Sequence, residues 1–282
     1  MRNNNNDELI GLKFEIDCWK NIFNMKTPPF ISLLDFFSSF LSRMPETYYT
    51  SPEERESAQE WLNEWFPETG VSKYGGSYDR GIGLTRDFYH HRGKSREELE
   101  AMNISRSRRR GVYYGLVIFG TLKLSNFTNL QNLKCSGHEI TDLDLSECVS
   151  LKTLDCRENK LTRLDIGRLT NLEEIYCQSN TLVELKLGNN RALTSLDCTD
   201  NRLTDIDLDC LNPEILNSLE LGDNEFNKDV MVFGRFTNLA YLNLKNNQFY
   251  GDSESLQGLT NLLSLNIKNN SINSNSDHPI DK

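Results

Sequence analysis

The stretch LKTLDCRENKLTRLDIGRLTN, residues 151–171, is followed directly by LEEIYCQSNTLVELKLGNNRA, residues 172–192. Both open with the block Leu-x-x-Leu-x-Cys-x-x-Asn, with Ile175 in place of the second leucine in the later copy. The block occurs seven times, and its sixth position is Cys, Leu or Ile. Its copies begin at Leu130, Leu151, Leu172, Leu193, Leu216, Leu239 and Leu262. Self-similarity at a fixed period predicts a repeat architecture for this part of the chain.

The repeats have two lengths, because the first four starts are 21 residues apart and the last four are 23 apart. The fourth and sixth positions differ by two, so both side chains point to the same side of a strand. In the first four repeats a second apolar-alternating stretch follows, at residues 140–145, 161–166, 182–187 and 203–208. This pattern predicts two strand-like segments per turn around a thin core. The return segments of the 23-residue repeats instead favour a loop or a short helix.

The fuller pattern Leu-x-x-Leu-x-Cys-x-x-Asn-x-Leu-Thr-x-Leu-Asp-Leu-Ser resembles the leucine-rich repeat. The best match is its short 21–23-residue variety, the IRREKO or internalin-like type, which also occurs in expanded fungal and protist families. The resemblance covers residues 116–272. It implies an α/β solenoid, a right-handed superhelix with a parallel β-sheet on its concave face, and a protein-binding role without a named partner.

Bulk properties restrict the cellular setting that we expect. The chain of 282 residues has a net charge of −10 and a pI near 5.0. Nucleic acid and anionic membranes need a basic footprint, so neither is expected as a partner. No secretory signal or membrane-spanning stretch is visible, and seven cysteines form an odd set. These features predict a cytoplasmic protein with reduced thiols, with the nucleus as the alternative, and not a secreted one.

We divide the chain into a helical N-terminal segment or cap at residues 1–110, leucine-rich repeats at 111–272 and a polar tail at 273–282. Helices are predicted at residues 7–24, at 51–66 and at 95–102, the last two opened by Ser-x-x-Glu capping boxes. A Gly/Tyr-rich loop is predicted at 68–93, and the stretch 112–124 is β-rich. The N-terminal segment is expected to cover the open edge of the first repeat. Only a polar tail follows the last repeat, so either that edge binds something, self-association included, or the chain is a shortened relative of a longer protein.

Two columns of side chains have a structural interpretation. Cys135, Cys156, Cys177 and Cys198 share the sixth position, and strands about 4.8 Å apart would place the outer two about 14 Å apart. That column is too long to share one tetrahedral zinc, so we interpret it as small hydrophobes in a narrow core. The ninth-position asparagines should satisfy backbone groups at the bend after the strand. His138 replaces asparagine in the first block.

Function is expected in the variable positions three, five and seven of each block, on the concave face. We predict a patch centred on Tyr176, with an acidic middle and lysines towards the last repeats, because interfaces favour aromatic anchors in polar surroundings. Its competing interpretation is a solvated sheet face with incidental acids. The predicted partner-binding residues are Asp155, Arg157, Glu174, Tyr176, Gln178, Asp197, Glu220, Tyr241 and Lys245.

The sequence therefore predicts an intracellular protein-interaction module, a scaffold or adaptor, that binds another protein through a basic peptide or surface. The alternatives are a regulatory subunit that docks onto an enzyme and a signalling scaffold of the septation or spindle-pole type, which the resemblance brings in only generally. No catalytic residues, cofactor or metal ligands are predicted, since no phosphate loop, nucleophile elbow or kinase signature occurs.

Overall fold

The computed structural model describes residues 55–65, 95–109, 112–114 and 117–273. The helix predicted at residues 7–24, the loop predicted at 68–93 and residues 274–282 of the predicted tail lie outside the described residues. The helix α1 is Ala58–Trp65. The strands are β1 (Arg55–Ser57), β2 (Ala101–Asn103), β3 (Ser107–Arg109), β4 (Val112–Tyr114), β5 (Val117–Lys123), β6 (Asn132–Lys134), β7 (Glu139–Asp144), β8 (Thr153–Asp155), β9 (Arg163–Asp165), β10 (Glu174–Tyr176), β11 (Glu184–Lys186), β12 (Ser195–Asp197), β13 (Ser218–Glu220), β14 (Tyr241–Asn243), β15 (Tyr250–Asp252), β16 (Ser264–Asn266) and β17 (Ser271–Asn273).

Each block contributes one short strand to an eight-stranded parallel sheet, which we call the front sheet. Its strand order is β2-β6-β8-β10-β12-β13-β14-β16, which follows the chain. The strands pair without register shift, so that Leu154 aligns with Leu133 on one side and with Ile175 on the other. Position four of every block points into the core, and positions three and five point outwards. The predicted solenoid of stacked parallel strands is confirmed.

Return segments form the opposite side of each turn. Strand β5 lies between β1 and β7, and β9 pairs with β11. These strands confirm three of the four predicted second stretches. The fourth, at residues 203–208, was predicted as a strand, and that prediction is wrong. The side chain of Asp207 accepts a hydrogen bond from the N–H of Asp209 and begins a 3-10 helix, Leu208–Cys210, because such local bonds compete with strand pairing.

The 23-residue repeats return through short helices, as predicted. An aspartate begins each one by accepting a hydrogen bond from the N–H two residues later: Asp229 begins Val230–Phe233, and Asp252 begins Ser253–Leu256. Side-chain capping of this kind replaces the missing intrahelical partner of an N-terminal N–H. Phe226 stacks on Phe249 with ring centroids 5.7 Å apart, so larger aromatic side chains fill the wider turns.

The front sheet begins earlier in the chain than the seven blocks indicate. Residues 95–102 were predicted to be a helix, and that prediction is wrong: a turn follows Ser95, and β2 pairs with β6. Half of the predicted capping box exists, because the N–H of Ser95 donates to Glu98 Oε2 at 2.7 Å. Leu99, Met102 and Ile104 are buried at positions one, four and six of a degenerate eighth block. Burying these three side chains outweighs the local helix signal.

The predicted helix at 51–66 is shorter than expected, since residues 55–57 form β1 and the helix begins at Ala58. The reason is pairing with a neighbour, because β1 aligns with residues 117–119 of β5. Trp61 and Leu62 belong to the same buried core as the repeats. Gln59 Oε1 accepts a hydrogen bond from the N–H of Lys123 at 2.8 Å, beyond the end of the β1 pairing. The described part of the N-terminal segment therefore packs against β5, and the covering of the first repeat's open edge by residues 1–110 stays a prediction.

Candidate functional site

The asparagine column holds the bend that follows each front strand. Asn180 Nδ2 donates to the carbonyls of Cys156 at 3.1 Å and Cys177 at 3.0 Å, and its Oδ1 accepts from the N–H of Leu161 at 3.0 Å. Asn159, Asn201 and Asn224 make equivalent bonds in their own turns. The structural interpretation of this column is confirmed, because each side chain satisfies backbone groups of two successive turns.

His138, which replaces the asparagine in the first block, also hydrogen-bonds backbone groups, through the two nitrogens of its larger side chain. Its Nε2 lies 2.6 Å from the carbonyl oxygen of Ile104, and its Nδ1 accepts from the N–H of Ile118 at 3.4 Å. This pair of bonds requires a neutral ring with the proton on Nε2. Burial, together with the nearby charge of Arg106, lowers the pKa of His138 from 6.5 to about 4.

The cysteine column lies in the core, as expected. Cys135, Cys156, Cys177 and Cys198 are fully buried free thiols. Burial raises the pKa of each thiol above its ordinary value, so the reactive thiolate is suppressed. These side chains therefore contribute packing, and they do not face the surface where a partner would bind.

We call the outward side of the front sheet, formed by positions three, five and seven, the front face. All nine predicted partner-binding residues lie on it, and they are not equally available. The side chains of Asp155 and Arg157 form a two-bonded ion pair, with Arg157 Nε 3.0 Å from Asp155 Oδ1 and Nη2 2.9 Å from Oδ2. Asp155 is also only 5% exposed. Because Arg157 already balances its charge, Asp155 is less available to a partner than the other acids of the face.

Tyr176 contacts both this ion pair and Glu174, a carboxylate that forms no ion pair among the described residues. The guanidinium carbon of Arg157 lies 5.9 Å from the centre of the Tyr176 ring, within the range of a cation–π contact. The Tyr176 hydroxyl donates to Glu174 Oε2 at 3.3 Å. Partial burial and the charge of Glu174 raise the pKa of Tyr176. The neighbouring Gln178 Oε1 is buried and accepts no hydrogen bond within the described part of the chain.

Three half-buried carboxylates on successive strands follow: Glu174 on β10, Asp197 on β12 and Glu220 on β13. The three strands pair in register, so that Tyr176 lies beside Asp197 and Asp197 lies beside Glu220. Burial and the charge of Asp197 raise the pKa of Glu220, although a hydrogen bond from Asn243 opposes this. Among the described residues no lysine or arginine nitrogen lies within 4.0 Å of any of the three.

The opposite side of the solenoid treats its acids differently. Four of the five carboxylates on β7, β9 and β11 each have a cation from a neighbouring turn, and Asp142 is the one without an ion pair among the described residues. The pairs are Glu139 with Lys160, Asp144 with Lys123, Asp165 with Lys186, and Glu184 with Arg163. Overall acidity alone therefore does not account for the unpaired acids of the front face.

Position five also has a structural role that the sequence did not reveal. The Oδ1 atom of Asp197 accepts a hydrogen bond from the N–H of Thr199, two residues later, at 3.0 Å. Asn243 and Asn266 make the same bond to the N–H groups of Lys245 and Lys268, at 3.1 and 3.3 Å. Either residue type satisfies the backbone at the strand end, so the charge at this position is independent of that bond.

The remaining predicted residues lie away from Tyr176. Tyr241, 43% exposed, is on β14, and Lys245 follows the same strand. Lys245 Nζ is 3.8 Å from Asp223 Oδ2, at the bend of the preceding turn. The structure therefore joins Asp155, Arg157, Glu174, Tyr176, Gln178, Asp197 and Glu220 in one continuous patch and places Tyr241 and Lys245 beside it as a second group.

Within residues 55–65, 95–109, 112–114 and 117–273, no three metal-ligand side chains converge on one point. In the same ranges no helix has the length and apolarity to cross a membrane.

No family model matches this chain, and no curated protein matches it. Similar solved structures exist for leucine-rich-repeat proteins. A protein of Leptospira interrogans is 24% identical over 55% of this chain and 42% of its own, with a TM-score of 0.49. The leucine-rich-repeat domain of APL1B is 22% identical over 69% and 54%, with a TM-score of 0.48. The functional domain of InlJ from Listeria monocytogenes, which includes a cysteine ladder, is 19% identical over 72% and 55%, with a TM-score of 0.46.

The chain spans between 32% and 55% of the length of seven solved structures that it resembles. The stacked parallel strands, the block register and the buried leucines identify the fold of the described residues as a leucine-rich-repeat solenoid.

Proposed function

We propose that this protein is an interaction module that binds a basic segment of another protein on its front face, between β8 and β13. The observation that carries the proposal is the pair of half-buried carboxylates on adjacent strands, Asp197 and Glu220, which form no ion pair among the described residues and lie beside Tyr176. Glu174 adds a third carboxylate on β10, one register position away. Holding like charges close together in partial burial is unfavourable, and the raised pKa of Glu220 reflects this. A lysine or arginine from a partner would relieve the repulsion and gain charge-assisted hydrogen bonds.

Two further features suit a ligand that carries hydrogen-bond donors. Tyr176 offers an aromatic surface, and aromatic anchors with polar surroundings are typical of binding hot spots. Gln178 Oε1 is a buried acceptor with no donor among the described residues, and leaving such an atom unsatisfied is costly. A guanidinium presents five donors in a rigid plane, so arginine suits this combination better than lysine.

The test uses charge-neutral replacements that keep the local hydrogen bonds. In Asp197→Asn/Glu220→Gln, the amide of residue 197 can still accept the N–H of Thr199, as Asn243 does for Lys245. The matched control is Asp165→Asn/Glu184→Gln on the return strands, which removes the same two charges from the opposite side. Each protein is immobilised and used to capture partners from a lysate of its own source cells, with quantitative mass spectrometry.

We expect partners that the wild type and the return-strand control both retain to be lost from Asp197→Asn/Glu220→Gln by roughly tenfold or more. Circular dichroism should show that both variants fold. If the front-face variant retains every partner that the wild type captures, the proposed binding face is wrong.

A cytoplasmic scaffold or adaptor remains the setting that we favour for this activity, because acidic recognition faces are suited to steering basic partners in solution. The regulatory-subunit and septation-type hypotheses have no separate support in the described residues. They would be distinguished by the identity of the captured partner.

A further inference from the structure

Two turns of the solenoid differ at one position beside Tyr176. Asp155 on β8 and Asp197 on β12 both occupy position five, and each aligns with Tyr176 on β10, from opposite sides. The tyrosine therefore lies between two equivalent aspartates. Two residues later, at position seven, the first of these turns has Arg157 and the other has Thr199. Only the first aspartate therefore has an arginine at position seven beside it.

The backbone around the two aspartates has the same geometry. Asp155 Oδ1 accepts a hydrogen bond from the N–H of Arg157 at 3.4 Å, and Asp197 Oδ1 accepts one from the N–H of Thr199 at 3.0 Å. The residues that follow, at position eight, have φ values of 53° and 57°. A side chain at position seven therefore leaves the backbone in the same relation to the aspartate in both turns.

Arg157 shows how this face holds a guanidinium. Its Nε donates to Asp155 Oδ1 at 3.0 Å and its Nη2 donates to Oδ2 at 2.9 Å, while the guanidinium carbon lies 5.9 Å from the centre of the Tyr176 ring. Two parallel bonds to one carboxylate need the planar, forked donors of arginine, and an ammonium lacks them. Asp155 is 5% exposed with this arginine beside it, whereas Asp197 is only half-buried.

The cations on this part of the face lie beside Asp155. Lys134 on β6 is the other register neighbour of this aspartate, and Arg157 pairs with it. Asp197 instead has Glu220 beside it on β13, and no lysine or arginine nitrogen of the described residues lies within 4.0 Å of either carboxylate. The place that corresponds to the Arg157 guanidinium is therefore bordered by two carboxylates and by no cation from the described part of the chain.

The same place adjoins a buried acceptor. Gln178 occupies position seven of the turn between Arg157 and Thr199, and its Oε1 is buried and accepts no hydrogen bond within the described ranges. A guanidinium has five N–H donors. If two of them donate to Asp197, three remain for acceptors in the neighbouring turns, Glu220 and Gln178 among them.

We infer that the partner segment is recognised through one arginine, whose guanidinium takes the place beside Asp197 that Arg157 takes beside Asp155. Two of its N–H groups donate in parallel to Asp197, and another faces Glu220. A lysine neutralises the same charge but cannot form the paired bonds, because its ammonium is a compact point charge. This inference rests on the proposed function and adds to it the identity and geometry of the recognised side chain.

Arginine at position 199 should occupy this place from within the chain. Because the backbone at position seven has the same geometry in both turns, the side chain of Thr199→Arg is expected to pair with Asp197 as Arg157 pairs with Asp155. That variant should then exclude a ligand arginine. Thr199→Gln is the matched control, since glutamine is also longer than threonine and carries no charge.

The experiment uses a display library of random 12-residue peptides, selected at low ionic strength on the full wild-type chain and on the return-strand control Asp165→Asn/Glu184→Gln. Each enriched peptide is then synthesised in two forms, as selected and with arginine and lysine exchanged for each other. Isothermal titration calorimetry measures both forms against the wild type, Asp197→Asn/Glu220→Gln, Thr199→Arg and Thr199→Gln. Circular dichroism verifies that all variants fold.

We expect both selections to enrich peptides that share an arginine. Changing that arginine to lysine should weaken binding to the wild type roughly tenfold, because the paired charge-assisted hydrogen bonds are lost. Thr199→Arg should weaken binding of the arginine peptides by about tenfold or more, as Asp197→Asn/Glu220→Gln does, whereas Thr199→Gln should weaken it by less than about threefold.

Other outcomes separate the two ideas. If the enriched peptides depend on Asp197 and Glu220 but bind equally well with lysine in place of arginine, the arginine inference is overturned while the proposed function stands. The same holds if Thr199→Arg leaves their affinity unchanged, or if Thr199→Gln weakens them as much as Thr199→Arg does. If nothing is enriched, or if no enriched peptide depends on Asp197 and Glu220, the proposed function fails and the inference fails with it.

Discussion

Replacing His138 by asparagine is expected to remove most of the acid sensitivity of the first turn. In the wild type the imidazole bridges the carbonyl of Ile104 and the N–H of Ile118, and it can do so only as the neutral ring. Burial keeps its pKa near 4, against an ordinary value of 6.5. Asparagine occupies this position in the six other blocks and has no proton to gain, so the variant lacks this source of pH dependence.

The sign follows from proton uptake by the unfolded chain. Between pH 6.5 and pH 4 the unfolded state binds a proton at His138 and the folded state does not, so acid favours unfolding. The contribution is complete above pH 6.5 and is lost as the pH falls. A pKa shift of this size lowers the free energy of unfolding by about 2 kcal/mol at pH 5 and by about 3 kcal/mol at pH 4. Arg106 is the charged neighbour that opposes protonation further.

Urea unfolding at pH 7.5, 6, 5 and 4.5 measures this effect for the wild type and His138→Asn. Shared carboxylates contribute equally to both proteins, so the comparison is between the two pH slopes and is independent of the variant's stability at neutral pH. The chain has only four histidines, which makes an NMR titration of His138 practical. Parallel slopes, or a His138 pKa of 6 or above, would refute the reasoning.

Two further predictions concern the turns. Asn180→Ala should lower the free energy of unfolding by about 2 kcal/mol, because it leaves the buried N–H of Leu161 without a partner and removes one of the two donors to each of the Cys156 and Cys177 carbonyls. Asn171→Ala, which removes one exposed bond to the Val149 carbonyl, should cost less than about 1 kcal/mol in the same urea titration. Gly188→Ala should destabilise by about 2–3 kcal/mol, because a Cβ atom there would lie 2.0 Å from the Gly167 carbonyl oxygen, whereas Gly258→Ala, with its nearest neighbour at 4.0 Å, should be neutral or slightly stabilising. Equal thermal midpoints for the two glycine variants would contradict the second prediction.

Side chains whose environment is set by the repeat itself were predictable from the sequence. The leucines occupy positions one and four of the block, the cysteines position six in four copies and the asparagines position nine in six copies, so the register of the repeats defines each column. The ion pairs of the return strands follow the same rule, because Arg163 and Glu184 are 21 residues apart and lie side by side. Once the register is known, neighbours across the sheet can be read from the period.

The errors arose where a local signal competed with a distant partner. Ser95 and Glu98 form the hydrogen bond of a capping box, yet the chain continues as β2 because β6 supplies a strand to pair with. Residues 55–57 likewise pair with β5. The sequence does contain the apolar positions of a degenerate eighth block at Leu99, Met102 and Ile104. Its distance of 31 residues from Leu130 departs from the 21- and 23-residue periods, so the periodicity did not predict it.

Residue type indicates the left-handed backbone at position eight in only five of the seven blocks, which carry glycine, aspartate or asparagine there, and not in the two that carry glutamate or serine. Glu158, Ser179 and Asp200 adopt φ values of 53°, 55° and 57°, and the equivalent positions continue with aspartate and asparagine. Side chains other than glycine rarely adopt this region, and here the bend bonds of the following asparagine stabilise it. The conformation belongs to the turn, and the amino acid at that position only has to tolerate it.

The charge of the front face is a separate variable from the fold. The block assigns positions one, four and six to the core and position nine to the bend, whereas position five is variable and also holds Lys134 and Tyr176. Asp197 and Asn243 accept the same N–H two residues later, so exchanging one for the other changes the charge of the face without changing a backbone bond. Stability therefore does not explain why aspartate and glutamate stand at β12 and β13 and asparagine at β14 and β16. A basic partner segment, as proposed above, would explain the acids, since Asp197 and Glu220 lie side by side where it would bind.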